Sequence, residues 1–302
     1  MTEQPTGARA VGGYPPPQHI LGDLGLVGEV PTETTAVVRT RVTPQVASAD
    51  GGVRAGVLAT LVDVVCGTVA SQVLAPERLA TADLSVQVVG AATRPWVEAR
   101  ASVLRRGRTT MVVEALVVAT DGQEARSAAD PEPDPVAWAA TTFAVLPAAG
   151  GVSPLQRDTT FPRRWEFSGG GLDVPVLEAL GVALVDPAAG RLSLPVRSYL
   201  HNSFDAVQGG VMAMVAEAAG AEAVASALGG DGSSVVVTDL QVAYLSLGRI
   251  GPIVSEARVL NGDGPGRASA VVELRDAGAG DRLTTVVNLV AVAAERLTGA
   301  GR

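Results

Sequence analysis

Two stretches of the sequence match each other in order and spacing across half its length. Gly56-Val-Leu-Ala-Thr-Leu-Val-Asp63 opens an apolar run of small residues with one carboxylate inside it, and Gly210-Val-Met-Ala-Met-Val-Ala-Glu217 does the same 154 residues later. Downstream, Thr81-Ala-Asp83-Leu-Ser-Val is echoed by Thr238-Asp239-Leu-Gln-Val, the aspartates lying 156 residues apart. Upstream, Leu24-Gly25-Leu is echoed by Leu180-Gly181-Val, again at 156. Anchors kept in one order at nearly one spacing mark a duplication, and the unit is far longer than the roughly 20–50-residue period of a solenoid. A chain of 302 residues has the length of two domains. Duplication places inside one chain an interface that a homodimer builds symmetrically, and it lets the two copies diverge.

Composition narrows the class. Hydrophobic residues make up 47% but aromatic ones only 3%, so the core must be built from Val, Ala and Leu. A formal charge of −8 argues against a broad nucleic-acid footprint, while leaving room for a local basic pocket for a phosphorylated ligand. One cysteine, Cys66, rules out an internal disulfide framework and reads as a small buried hydrophobe. With two histidines beside it, a His/Cys metal site is not expected, and no cofactor is called for. Residues 1–17 lack the basic-then-apolar pattern of a signal peptide. The run Val57–Leu74 is long enough to raise the membrane question. Asp63 stands inside it, and a central Asp costs about 2.5–3.5 kcal/mol on insertion. The run therefore reads as a buried core helix of a cytoplasmic protein with no membrane partner.

Along the chain, residues 1–20 are rich in Pro and Gly and read as a flexible tail. The first unit is expected over 21–147. It has a weak strand at 37–42, a helix from Gly56 to Leu74 stopped by Pro76, and a half-buried strand at 82–88 with clean apolar/polar alternation. Strands at 97–104 and 110–120 flank Arg105-Arg106-Gly107-Arg108, a hairpin turn. A charged, Pro-rich insert covers 124–137, and a last strand covers 138–146. Residues 148–175 read as a linker. The second unit, 176–302, repeats the order: a short helix near 176–181, a strand at 191–197, a helix from about 211 to 228, then strands near 235–245, 253–260, 267–275 and 284–293. Each unit is one long helix, apolar all round, followed by an antiparallel meander. Such a helix must be enclosed, and a curved sheet wrapped over it does so. The fold class is α+β.

This arrangement resembles the hotdog fold, and the helix starts are similar to those of the PaaI-like acyl-CoA thioesterases. That family carries Asn, five residues, His-Gly-Gly, six residues, then Asp or Glu. The second half has Asn202, then Gln208-Gly209-Gly210, then Glu217, with the family spacing of fifteen from Asn202 to Glu217. Gln208 stands in place of His. In the first half Ser48, Arg54, Ala55, Gly56 and Asp63 occupy the matching positions. The resemblance implies two tandem hotdog domains packed as a pseudo-dimer with a continuous sheet.

It also implies a site. Thioester hydrolysis builds negative charge on the carbonyl oxygen, and N–H groups at a helix N-terminus stabilise it. A carboxylate then activates water or attacks directly. In the family each site spans two protomers. Carried onto this chain, one composite site has Asn202 and Gly209 from the second half with Asp63 and Thr81 from the first. The other has Ser48 and Ala55 with Glu217 and Val237, and there the Asn and the Thr are lost. One competent site per chain, the first, is expected. Gly56 and Gly210 are expected to let the substrate approach, and Arg105, Arg106 and Arg108 to bind the phosphates of coenzyme A.

Plainer roles stand beside these. Asn202 also suits a turn or helix cap, Thr81 is common in strands, and the arginines suit a solvated turn. The expected partner is an acyl-CoA or related thioester, and a symmetric homodimer of the chain is compatible with the sequence. A non-catalytic acyl-CoA- or lipid-binding module is the alternative function. A hotdog hydratase is disfavoured, since neither helix carries the required Asp–His pair.

Overall fold

The protein, described as a computed structural model over residues 14–122, 134–146, 159–260 and 266–298, folds as two copies of one unit around a shared sheet. The first copy holds α1 (Ile20–Asp23), β1 (Val27–Thr32), β2 (Thr35–Arg41), α2 (Ala55–Leu74), β3 (Arg78–Val88), β4 (Trp96–Arg106), β5 (Thr110–Thr120) and β6 (Asp134–Leu146). A short strand, β7 (Arg163–Glu166), comes next. The second copy holds α3 (Val176–Leu180), β8 (Ala183–Asp186), β9 (Arg191–Leu194), α4 (Gly209–Ala227), β10 (Val235–Tyr244), β11 (Ile253–Leu260), β12 (Arg267–Asp276), β13 (Arg282–Ala293) and α5 (Ala294–Thr298). This is the tandem hotdog architecture expected from the sequence.

The strands form one antiparallel sheet in the order β7-β1-β2-β4-β5-β6-β3-β10-β13-β12-β11-β9-β8. The second half reads as the reverse of the first, so a pseudo-two-fold axis passes through the β3–β10 seam. Ser85 lies opposite Gln241 there, and these two are repeat equivalents. The symmetry reaches single hydrogen bonds. A bulge falls between Thr81 and Asp83 on β3 and between Val237 and Asp239 on β10. The isolated bridges Ala47–Val53 and His201–Val207 also correspond. So do the bonds from Ser48 N–H to Gly52 O and from Asn202 N–H to Ala206 O.

Alternation along the strands explains the layering. On β12, Ala268, Ala270, Val272 and Leu274 point inward and are buried, with more exposed residues between them. The helices are apolar almost all round and are enclosed accordingly. By length and composition α2 and α4 would each pass as membrane spans, yet in this fold the sheet and the partner helix cover them. Phe143 is the largest fully buried side chain, and the rest of the core is mainly Val, Leu and Ala.

Besides the short elements α1, β1, β8 and α5, which the sequence reading does not include, the structure departs from the sequence expectations in three intervals. The interval read as a linker contributes β7, which pairs with β1 and has no counterpart beyond β8. The insert expected at 124–137 is shorter at its end, because β6 already begins at Asp134; residues 123–133 lie outside the described residues. Residues 14–20, read as part of a flexible tail, are anchored at both ends, with Tyr14 against the core and His19 and Ile20 buried. His19 is buried, its Nδ1 accepts the Leu21 N–H at 3.1 Å, and its Nε2 lies 2.7 Å from the carbonyl oxygen of His201. With Nδ1 accepting, Nε2 must carry the hydrogen. One neutral imidazole thus ties the chain's beginning to the second half. Residues 1–13 lie outside the described residues.

The two long helices cross where their glycines lie. A Cβ at Gly56 would meet Met214 Cα at 2.5 Å, and a Cβ at Gly210 would meet the Thr60 hydroxyl and come 2.7 Å from Thr60 Cα. Met214 and Thr60 are repeat equivalents, so this is one contact made twice. Because backbone is met as well as side chain, room cannot be made by a rotamer change. Gly210→Ala should therefore push the helices apart and lower stability by about 1–3 kcal/mol in urea unfolding.

Candidate active site

Asp63 lies two turns into α2, between Thr81 on the first copy's β3 and Gly209 at the start of α4. It lines a cavity of about 720 Å³ together with Thr81 of β3, Asn202, Gln208 and Gly209 at the start of α4, and Tyr244 of β10. That volume suits a drug-sized ligand. The four residues expected to form the first composite site therefore do converge.

The local geometry gives each a distinct chemical state. The β3 bulge turns Thr81 toward α2, and its hydroxyl donates to Asp63 Oδ1 at 2.8 Å. Oδ2 is the oxygen that faces Gly209: a Cβ on Gly209 would sit 3.2 Å from it. Burial pushes the Asp63 carboxyl up to about 6, and the Thr81 bond opposes that only in part. Gly209 is the first residue of α4, and its N–H meets no acceptor among the described residues. Asn202 holds a turn: its Oδ1 accepts the N–H groups of Phe204 at 2.8 Å and Ala206 at 3.3 Å. What remains for the cavity is its NH2 group. Gln208, where the family has His, is buried, and its side-chain oxygen has no hydrogen-bond partner among the described residues.

The pseudo-symmetric position looks different. Glu217 is buried, and its two carboxylate oxygens accept the N–H groups of Ala55 at 3.2 Å and Gly56 at 3.1 Å. Arg54 Nε stands 3.3 Å from Oε2. Glu217 thus occupies the donors at the start of α2. The stripe of α4 beyond it, including Ala218, Ala221 and Ala225, is buried. The matching stripe of α2, including Val64, Gly67, Thr68 and Ser71, lines the open cavity instead.

The remaining expected site residues are placed elsewhere. Gly56 and Gly210 were expected to meet substrate; neither lines the cavity, and both sit in the helix crossing, where only a hydrogen side chain fits. Arg105, Arg106 and Arg108 are exposed around the β4–β5 hairpin, outside the cavity wall. Across the sheet, Thr110 pairs with Ala144 and Arg78 with Leu146, so the hairpin stands two strands from the start of β3. There the Arg78 guanidinium lies 4.7 Å over the ring of Phe204, which lines the cavity.

Sequence reading passed over Tyr14, Arg78, Gln72, Arg163 and Tyr244, all at or beside this cavity. Arg163 of β7 donates to Gln72 Oε1 at 2.8 Å. Tyr244 donates to the Gly209 carbonyl at 3.0 Å. The available signal for Tyr244 was divergence within the repeat, since its equivalent is Val88.

Comparison with known proteins fits this fold. The thioesterase superfamily model matches the chain twice, over residues 51–126 and 204–275, and the chain belongs to that superfamily. A structure described as a candidate thioesterase from Novosphingobium aromaticivorans superposes with a TM-score of 0.56 at 15% identity, covering 86% of this chain and 96% of the other. A tesB protein of Mycobacterium avium subs paratuberculosis gives 0.55 at 15% identity, covering 90% and 97%. A conserved protein with a hot dog fold from Alicyclobacillus acidocaldarius gives 0.51 at 12%, covering 85% and 92%. At such identities the likeness is one of fold. No curated protein matches the sequence.

The raised carboxyl has a consequence for stability. The unfolded chain releases the Asp63 proton near pH 4, the folded chain only near 6. Stability from this group is therefore greatest below pH 4 and is lost as pH rises through 6, above which the fold carries an enclosed charge. A shift of this size corresponds to about 1–3 kcal/mol. Asp63→Asn should raise the melting temperature at pH 8, and the gain should fade toward pH 4.

Proposed function

We propose that this chain is a PaaI-like thioesterase that hydrolyses an acyl-CoA-type thioester at a composite site between its two halves. The observation that carries the reading is Asp63, bonded to Thr81 through one oxygen and facing the start of α4 with the other, inside a cavity walled by both copies. In this reading the thioester carbonyl points at the Gly209 N–H, where the helix dipole adds to the hydrogen bond. Asp63 acts as general base, and a carboxyl near 6 is well matched to taking a proton from water at neutral pH. The Thr81 hydroxyl holds the carboxylate in orientation. The Asn202 NH2 donates to the substrate. The phosphates of the carrier lie toward Arg78 and the Arg105–Arg108 hairpin, whose guanidinium groups suit them.

Glu217 has another role in this reading. It is an internal anion that fills the second site, replacing substrate at the α2 N-terminus. The chain then has one working site, and the lost Asn and Thr at Ser48 and Val237 are of no consequence.

Thiol release from a panel of short, medium, long and aryl acyl-CoAs tests the proposal. Asp63→Asn should lower kcat by about 10²–10⁴-fold. Glu217→Gln should retain turnover per folded molecule, and the reverse pattern would move the site to the other half. Since the base must be deprotonated, kcat/KM should hold above the Asp63 pKa of about 6 and fall below it. Binding of the thioesters without release of thiol would instead support the acyl-binding module.

A further inference from the structure

A water that attacks a thioester has two hydrogens, and a site that orients it must offer an acceptor for each. Asp63 Oδ2 is one. Thr81 is not placed to be the second, because it stands on the Oδ1 side while Oδ2 faces Gly209. Asn202 cannot be the second either, since its oxygen is spent on two backbone N–H groups. Gln208 Oε1 is an acceptor without a partner among the described residues, but it is Tyr244 whose oxygen stands with Asp63 Oδ2 among the atoms nearest the bare face of Gly209. The tyrosine's own hydrogen is committed to the Gly209 carbonyl at 3.0 Å, which leaves its oxygen an acceptor. The bare face of Gly209 lies between the two groups: a Cβ there would be 3.2 Å from Asp63 Oδ2 and 3.2 Å from Tyr244 Oη.

We propose that Tyr244 is a positioning residue whose phenolic oxygen accepts the second hydrogen of the water that Asp63 deprotonates beside Gly209. The inference rests on the hydrolysis proposed above. In the step, the water oxygen bonds to the thioester carbon and one of its protons passes to Asp63. The other O–H stays bonded to Tyr244. The C–S bond then breaks, and the proton on Asp63 passes to the departing sulfur, giving acid and thiol. Two further features agree. Burial, with Asp63 and Asp83 close by, holds the phenol well above its usual range, so it stays protonated and keeps its bond to Gly209. Its repeat equivalent, Val88, has no hydroxyl, so the group is present only on the side with the open cavity.

The test pairs kinetics with crystallography on the full chain, using whichever acyl-CoA is turned over fastest. Tyr244→Phe should lower kcat by about 10- to 100-fold with KM within about twofold. A wild-type structure should show an ordered water bridging Asp63 Oδ2 and Tyr244 Oη, and the variant structure should lack it. A merely structural tyrosine would not give that pairing of effects. The inference is overturned if Tyr244→Phe keeps wild-type kcat while Asp63→Asn loses turnover, or if the wild-type structure has no such water. That second readout stands even if the variant fails to fold. Normal turnover by Asp63→Asn would overturn the proposed reaction itself, and this inference with it.

Discussion

The close crossing of α2 and α4 is the contact on which the rest depends. Gly56 lies against Met214 and Gly210 against Thr60, with no space for a further carbon at either glycine. Helix axes this close bring the start of each helix beside the second turn of the other. Each helix start therefore faces a carboxylate from its partner: Asp63 faces Gly209, and Glu217 faces Ala55 and Gly56. The seam between β3 and β10 fixes the same axis from the sheet side, with Ser85 opposite Gln241. Helix crossing and strand register are thus two expressions of one pseudo-two-fold. A slip in either would separate carboxylate from helix start at both places.

From one backbone geometry come two different outcomes, and side-chain length separates them. Glu217 has the extra methylene that lets its carboxylate reach the N–H pair of α2, where Arg54 joins it. Charge-assisted bonds of that kind compensate a buried carboxylate, which would otherwise be costly. Asp63 is shorter. It is bonded to Thr81 and leaves the Gly209 N–H without an acceptor among the described residues, both groups lining the cavity. With the Thr81 bond opposing it only in part, burial pushes this carboxyl up to about 6. What one half gains in internal satisfaction, the other keeps as an open cavity beside a raised carboxyl.

Much of this was legible in the sequence because duplication converts weak local signals into paired ones. The helices, expected at 56–74 and about 211–228, were visible as long apolar runs, and the meanders after them as strand-like stretches, read once and then seen again. Asp63 stood out as a charge inside an apolar run, and Thr81, Asn202 and Gly209 through the spacing of the resemblance. What stayed hidden depends on geometry that no spacing encodes. β7 is only four residues long and has little pattern of its own; it exists because β1 leaves an edge to pair with. His19 looked like part of a loose tail, since nothing local announces that a backbone carbonyl 182 residues away will meet its ring. Gly56 and Gly210 read as substrate approaches because a glycine admits a ligand and a neighbouring helix by the same absence of a side chain.

The divergence between the copies has a direction. At the turn before the helix, Asn202 is matched by Ser48, whose hydroxyl bonds to Asp50, and it is Asp50 that takes the Gly52 N–H as Asn202 takes that of Ala206. On the first long strand, Thr81 is matched by Val237, and at the strand end Tyr244 is matched by Val88. The last two changes remove a hydroxyl from the closed side while the open side keeps its own. An internal carboxylate at the start of α2 confines such losses to the side it fills. A hydroxyl or amide with nothing to bond costs stability when buried, so an apolar replacement is favoured there. On the open side the same groups face a cavity and retain partners. The closure by Glu217 thus accounts for the losses around it, and the asymmetry of the chain reduces to the reach of one side chain.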